Sequence, residues 1–220
     1  MSWDAYDGLR SVILGALSSG LTGHTISHSD IGGYNVETNL GPDMTYIRSE
    51  ELLARWSEMS AFGSGLFRTH IGSSMTPLNA QVYDNENTVS HFAEFASIYV
   101  NLSSYRSDLI AEAQRDGLPL MRPMFLNYGY DRVVWDLEEQ YMFGDDFLVA
   151  PCMYEGSVSV AVYFPHHTGP WVHLVSDCSL DLYSFNFCSG VEILLLRQRS
   201  IKRACGSLSR RLSDSLRSFI

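Results

Sequence analysis

Apolar residues recur with the period of an α-helix at three places in the first 117 residues. Each pattern places its apolar side chains on one helix face, at intervals of three and four residues. The positions are Leu9, Val12, Ile13, Ala16 and Leu17 in the first, Leu52, Leu53, Trp56 and Met59 in the second, and Val89, Phe92, Ala96 and Tyr99 in the third. We expect Ser49 to cap the second helix. The third helix is expected to run to Gln114 and to stop at Asp116-Gly117.

Two short strand-like segments separate these helices, His24–Ser29 and Leu66–His70. Alternating helices and strands with short turns are typical of α/β winding around a parallel sheet. In such folds, functional side chains lie where strands end and loops begin. The polar or aromatic residues at these two strand exits are His28, Asp30, Tyr34, Arg68 and His70.

After Gly117 the pattern changes, because prolines separate short apolar runs. Ser157–Phe164 alternates between apolar and other residues, as a half-buried strand does. Phe147–Ala150 and Trp171–Val175 are further predicted strands, and Asp136–Phe143 is predicted as a short helix. These segments indicate a small antiparallel β module that follows the α/β part.

Composition excludes several classes of protein. Apolar residues make up 45% of the chain, enough for a packed core, and no run reaches the length of a membrane-spanning helix. The net charge of −10 argues against nucleic acid as a partner. No C-x-x-C and no basic leader are present, which favours free thiols and, weakly, the cytoplasm. The basic segment Arg203–Ser218 is expected to be a divergent tail or an amphipathic helix.

Pairs of acidic residues and histidines suggest catalytic or metal sites only weakly. Asp145-Asp146 is expected to form a turn, and Asp4 with Asp7 a helix start. His28, Asp30 and His70 lack the spacing and supporting motif of a metal site. Neither a metal nor a cofactor is therefore expected, and no phosphate-binding glycine loop is present.

The two strand exits suggest a sugar site instead. Asp30 can accept hydrogen bonds from sugar hydroxyls, and Arg68 and His70 can donate hydrogen bonds to others. Tyr34 can cover the apolar face of a pyranose ring. Gly32 and Gly33 permit a sharp turn beneath a ligand.

Five ordered motifs surround or follow these exits: Ser27–Tyr34, Glu51–Trp56, Ala61-Phe62 with Arg68–His70, Gly117–Phe125 and Gln140–Pro151. Together they resemble glycoside hydrolase family 31, which holds α-glucosidases, α-xylosidases and sulfoquinovosidases. The resemblance covers about Trp3 to Val175, and Tyr34 after the two glycines favours the sulfoquinovosidase branch.

The resemblance implies the last two βα units of a (β/α)8 TIM barrel at 1–117, part of an antiparallel β-sandwich at 118–175, and a divergent or disordered tail at 176–220. It implies a retaining glycosidase acting on an α-glycoside, with Asp30, Tyr34, Arg68 and His70 as substrate-binding residues. The family's two catalytic aspartates would precede the helix near Asp7, so both are expected upstream of Met1. The alternative is a catalytically inactive carbohydrate-binding or regulatory protein. Oligomeric state is left open.

Overall fold

A computed structural model describes residues 3, 6–35, 47–63, 65–72, 79–165, 171–173, 179–180 and 193–197. The basic segment Arg203–Ser218 and three of the four cysteines, at 178, 188 and 205, lie outside these residues. Cys152 is a buried free thiol. In the described part of the chain, no helix has the length and apolar character needed to cross a membrane.

The predicted helices form at the expected places. They are α1 (Leu9–Leu21), α2 (Glu50–Ala61), α3 (Glu86–Asn101) and α4 (Ser103–Asp116), followed by the short α5 (Met124–Tyr128) and a 3₁₀ turn at Arg132–Asp136. The Ser49 hydroxyl accepts the Leu52 N–H at 3.1 Å, which confirms the predicted cap of α2. Gly117 ends α4 with φ of 75°, a backbone conformation that favours glycine.

The third predicted helix is in fact two helices, because the chain turns at the buried Leu102. The interruption takes the Tyr99 carbonyl away from the ordinary helical hydrogen bonds. The guanidinium of Arg106 donates to that carbonyl at 3.1 Å and to the Ala61 carbonyl at 2.9 Å. Arg106 thus joins the α3–α4 corner to the end of α2.

The predictions of regular strands at His24–Ser29 and Leu66–His70 were wrong. The two segments run side by side in parallel, but within the described residues the strand-like pairing is one isolated bridge, between Ile31, two residues past the first segment, and Thr69. Elsewhere along the two segments, side chains make hydrogen bonds to backbone groups that a neighbouring strand would otherwise bind. His28 Nδ1, for example, lies 3.1 Å from the Leu66 carbonyl oxygen.

An antiparallel sheet follows, in the order β1-β2-β3-β6-β4-β5. Its strands are β1 (Met121–Pro123), β2 (Tyr141–Phe143), β3 (Phe147–Ala150), β4 (Trp171–His173), β5 (Ser179–Leu180) and β6 (Ile193–Arg197). The predicted strands are confirmed at Phe147–Ala150 and at the start of Trp171–Val175. The turn at Asp145-Asp146 is confirmed as well.

Two predictions in the sheet region were wrong. Asp136–Phe143 is not a helix, since its last three residues pair with both β1 and β3 and are buried on both faces. Ser157–Phe164 is not a regular strand. There the Gln140 side-chain amide takes the place of a neighbouring strand. Its Nε2 donates to the Tyr163 carbonyl at 2.9 Å, and its Oε1 accepts the Tyr163 N–H at 2.8 Å.

The sheet separates two apolar clusters. Alternate residues of a strand point to opposite faces. Tyr141, Phe143, Phe147 and Val149 accordingly pack against the helices, and Met142 and Leu148 pack on the far side with Trp171. The central strands are therefore buried from both sides and fasten the sheet to the helical part.

Candidate functional site

The predicted site residues lie on two neighbouring segments, 27–34 and 66–72, which we call the rim. The Gly65 N–H donates to the Ser27 carbonyl at 2.8 Å, and the Ile31 N–H donates to the Arg68 carbonyl at 2.8 Å. These bonds hold the two segments in parallel. Residues that follow the Ile31–Thr69 bridge therefore emerge at the same edge, as the sequence predicts.

Asp30 and Arg68 form a direct ion pair across the rim. Arg68 Nε and Nη2 both lie close to Asp30 Oδ1, at 2.9 and 2.8 Å. His28 Nε2 lies 3.4 Å from the same oxygen. The Asp30 side chain is only 8% exposed, whereas that of Arg68 is 58% exposed. Within the described part of the chain, no hydrogen bond reaches the second carboxylate oxygen, Oδ2, so Oδ2 can accept a hydrogen bond from a ligand.

Tyr34 and His70 form a second side-chain contact between the two rim segments. Their rings stack with centroids 4.2 Å apart and planes inclined by 21°. His70 Nδ1 accepts the Gly72 N–H at 3.2 Å and lies 3.2 Å from the Tyr34 carbonyl oxygen. The contact with Gly72 uses Nδ1 as an acceptor and the contact with Tyr34 uses it as a donor, so each neutral tautomer satisfies one of them and leaves Nε2 as either a donor or an acceptor for a ligand. Tyr34 is half exposed.

Arg48 ties the two rim segments together, and sequence reasoning missed it. Its guanidinium is buried beneath the rim and Nη1 donates to the Ile31 carbonyl at 3.2 Å and to the His70 carbonyl at 2.9 Å. An arginine directly before a helix cap carries no pattern that distinguishes it from a surface residue. Only the folded chain shows where its side chain points.

Other side chains fix the base of the rim. The Trp56 indole N–H donates to the Ser29 hydroxyl at 2.9 Å, which links α2 to the first segment. The Thr69 hydroxyl donates to the Ile31 carbonyl at 2.9 Å. An open groove of about 390 Å³ adjoins the first segment and runs between α1 and Met59.

A metal site is not assembled here. Among the described residues, no group of three or more His, Cys, Asp and Glu side chains could hold a metal ion. His28 and Asp30 contact one another, while Nδ1 of His70 is turned toward backbone groups. The rim's chemistry is therefore hydrogen bonding by a carboxylate, a guanidinium and imidazoles.

Comparison with known families agrees with this geometry. Residues 2–109 match the TIM-barrel domain of glycosyl hydrolases family 31, and residues 117–190 match the C-terminal domain of the same family. The chain belongs to glycoside hydrolase family 31. The fold is accordingly part of a TIM barrel followed by an antiparallel β-sheet domain, as expected.

Curated relatives support the sulfoquinovosidase branch of the family. The chain is 43% identical to the sulfoquinovosidase of Agrobacterium fabrum over 80% of its own length and 25% of that protein. It is 39% identical to the sulfoquinovosidase of Escherichia coli, over 79% of this chain and 24% of that protein. The chain thus spans about a quarter of the length of these relatives.

Solved structures of family 31 enzymes share the fold of this chain. A family 31 sulfoquinovosidase from E. rectale, in complex with the aza-sugar inhibitor IFGSQ, superimposes with a TM-score of 0.82 and 33% identity, over 96% of this chain and 30% of that one. An α-xylosidase from a soil metagenome shares the fold, with a TM-score of 0.73 and 22% identity over 87% of this chain and 30% of that one. The family match extends to residue 190, past the Val175 at which the resemblance was expected to end. The roles of the rim residues and the domain limits at 117 and 175 stay predictions.

Proposed function

We propose that the rim binds the sugar of an α-glycoside and belongs to a retaining α-glycosidase that acts on α-sulfoquinovosides. The observation that carries the proposal is the pairing of Asp30 with Arg68 beside the Tyr34–His70 stack, at the edge where two parallel segments end. Similarity to two sulfoquinovosidases supports the choice of substrate.

Each rim residue would have a distinct part in binding. Arg68 fixes Asp30 Oδ1 and leaves Oδ2 to accept a hydrogen bond from a sugar hydroxyl, while Nε2 of His70 hydrogen-bonds to another hydroxyl. Hydrogen bonds to charged groups are the stronger ones, at about 1.5–3 kcal/mol. The half-exposed Tyr34 ring adds an apolar surface for the sugar ring. Orientation, rather than chemistry, is therefore what the rim supplies.

The chemistry would come from two carboxylates that this chain does not supply. A retaining glycosidase needs a nucleophile and an acid/base about 5–5.5 Å apart across the scissile bond. Asp30 is held by Arg68, and Asp145 is held by Arg122 in a turn of the sheet domain. We therefore place the catalytic pair outside these 220 residues. We assign residues 1–117 to the barrel and residues from 118 through β6 to the β domain, because the family match runs to residue 190 and β6 pairs with β3 and β4; a divergent tail would follow β6.

Sugar binding can be tested by calorimetric titration of the chain with methyl α-sulfoquinovoside and with methyl α-glucoside. Asp30→Asn keeps the size of the side chain and removes its charge. Asp116→Asn is the matched control, because Asp116 also pairs with an arginine, Arg115, at an exposed site on the end of α4. We expect Asp30→Asn to weaken binding by about 10- to 100-fold, the loss of one charged hydrogen bond. Equal affinities in both variants, or no binding by the unmodified chain, would refute the proposal.

The inactive binding protein, our second candidate, predicts the same titration. The two differ in what the gene encodes. Sequencing the transcript upstream of the Met1 codon would reveal a reading frame with the two catalytic aspartates if the chain belongs to an active enzyme. A stop codon in frame with Met1, and no such aspartates, would favour the binding protein.

A further inference from the structure

Arg48 is the most thoroughly bonded side chain beneath the rim. It is 2% exposed, and Nε donates to the Ala80 carbonyl at 2.6 Å. Nη2 donates to the Gln81 side-chain oxygen at 2.9 Å, and Nη1 faces the carbonyls of Ile31 and His70. A guanidinium has five N–H donors in a rigid plane, and this site uses them in three directions.

The backbone of Arg48 is held by hydrogen bonds, as its guanidinium is. Its N–H donates to the Asn79 side-chain oxygen at 3.0 Å, and its carbonyl accepts the Ala80 N–H at 3.0 Å. Ser49, the next residue, caps α2. The Arg48 backbone is therefore held at the start of a helix, and the guanidinium is held separately by its own acceptors beneath the rim.

The two carbonyls that accept from Nη1 belong to different rim segments. Ile31 directly follows Asp30, and His70 is itself a predicted sugar ligand. One nitrogen atom therefore sets the separation between the segment that carries Asp30 and Tyr34 and the segment that carries Arg68 and His70. In the described residues, only the Ile31–Thr69 bridge joins these segments as strands.

Close packing reinforces this arrangement. A Cβ atom added to Gly32 would lie 2.1 Å from Cδ of Arg48, and Gly32 has φ of +77°. The turn between Asp30 and Tyr34 thus rests directly on the arginine side chain. A side chain at Gly32 would push either the turn or the guanidinium out of place.

We propose that Arg48 is the positioning residue of the rim: it sets the spacing of Asp30 and His70 and thereby the affinity of the rim for its sugar. The second half of this statement rests on the proposed function. Arg48 touches backbone atoms beneath the site, so it acts through the residues above it. A displacement of about 1 Å in a binding group can cost about 100-fold in function.

The test compares two buried arginines of the full 220-residue chain. Arg106 is the control, because it is also buried, also donates to backbone carbonyls and also has a pKa lowered by burial, as Arg48 does. Its partners lie at the end of α2 and the α3–α4 corner, away from the rim. The variants are Arg48→Met, Arg48→Lys and Arg106→Met.

Two measurements separate positioning from stability. The first is the chemical shift of the His70 ring protons, which the Tyr34 ring alters through its ring current at 4.2 Å. The second is the dissociation constant of methyl α-sulfoquinovoside. We expect Arg48→Met to move the His70 signal toward its random-coil position and to weaken binding by about 10- to 100-fold. Arg48→Lys, with fewer donors, should fall between, and Arg106→Met should leave both measurements unchanged.

An unchanged His70 signal in Arg48→Met, or an equal change in Arg106→Met, would overturn the proposal. Should Arg48→Met fail to fold, Arg48→Lys and Gly32→Ala give the same comparison, because each disturbs the same contact and keeps a buried charge. If the unmodified chain binds no sugar while the His70 signal still depends on Arg48, the proposed function fails and the positioning role stands.

Discussion

The rim and the sheet hold neighbouring segments together in different ways. In the sheet, β2 and β3 are paired residue by residue, and their side chains are buried on both faces. In the rim, widely spaced backbone bonds are supplemented by the side chains of His28, Arg48 and Thr69. Apolar packing depends on volume and area, whereas hydrogen bonds depend on direction. We therefore expect substitutions in the sheet to change stability and substitutions in the rim to change binding.

The largest expected effect concerns turnover. If the rim and the sheet supply only binding and support, the 220-residue chain should not hydrolyse an aryl α-sulfoquinovoside or an aryl α-glucoside. General acid catalysis alone contributes about 10²- to 10⁴-fold, and the covalent route would be missing too. Release of the aryl group can be followed by absorbance. Activity that survives repurification and disappears in His70→Ala would show that a carboxylate of this chain performs the chemistry.

Phe147→Ala tests the sheet. The Phe147 ring is fully buried among Phe62, Tyr105 and Phe143, at centroid distances of 6.2, 5.2 and 6.1 Å. Removing it should lower the free energy of unfolding by about 3–5 kcal/mol, as other buried phenylalanines do. Urea unfolding measures the loss, with the exposed Val158→Ala as control, expected within about 0.5 kcal/mol of the unmodified chain. A change in the His70 ring signal in Phe147→Ala would show that the two regions are not independent.

The α2–α3 contact behind the rim should make stability depend on pH. Burial lowers the pKa of His91, but the hydrogen bond and charge of Glu58, the Ala54 carbonyl and the charge of Glu94 outweigh burial, so the net pKa is raised. A raised pKa in the folded state stabilises the protein below the unfolded value of about 6.5, and this contribution is lost as the pH rises through the folded pKa. Urea unfolding between pH 5 and pH 9, at about one-unit steps, would show it.

Glu58→Gln should remove most of this pH dependence, since Glu58 is the principal partner of His91 at 3.2 Å. Glu94→Gln serves as the control, because Glu94 contributes only a longer-range charge. We expect the control to retain most of the slope. A steep dependence on pH that persists in Glu58→Gln would assign the effect to another group.

Arg68→Met should have the smallest effect on stability. The Arg68 side chain is largely exposed, and exposed ion pairs contribute about 0–1 kcal/mol. Binding should nevertheless weaken, because Asp30 would lose the partner that orients its carboxylate. Parallel urea and calorimetric titrations measure both quantities. A large loss of stability with unchanged binding would contradict the expectation that substitutions in the rim change binding and substitutions in the sheet change stability.

The sequence predicted those parts of the molecule that depend on local pattern. The periods of α1 and α2, the Ser49 cap and the strand Phe147–Ala150 all follow from the spacing of apolar residues and from capping chemistry. The location of Asp30, Tyr34, Arg68 and His70 at one edge followed from their positions at two neighbouring strand ends, whereas the direct ion pair of Asp30 with Arg68 was not predicted.

Contacts between distant residues could not be predicted in this way. The corner at Leu102 depends on Arg106 reaching the end of α2, and Tyr141–Phe143 becomes a strand because two others flank it. Arg48 lies seventeen residues from Ile31 and twenty-two from His70, and no periodicity connects them. Tertiary context decides such positions.

The most direct test of a sugar-binding rim is a titration of the ¹⁵N-labelled chain with methyl α-sulfoquinovoside, followed by backbone amide and arginine Nε–H signals. We predict that the shifts concentrate at Gly32, Gly33, Tyr34 and Thr69–Gly72, together with Arg68 Nε. Signals from the cavity of about 290 Å³ between α2 and α3, lined by Leu53, His91 and Phe92, should stay in place. Shifts confined to that cavity, or no shift at the rim at saturating sugar, would contradict the account.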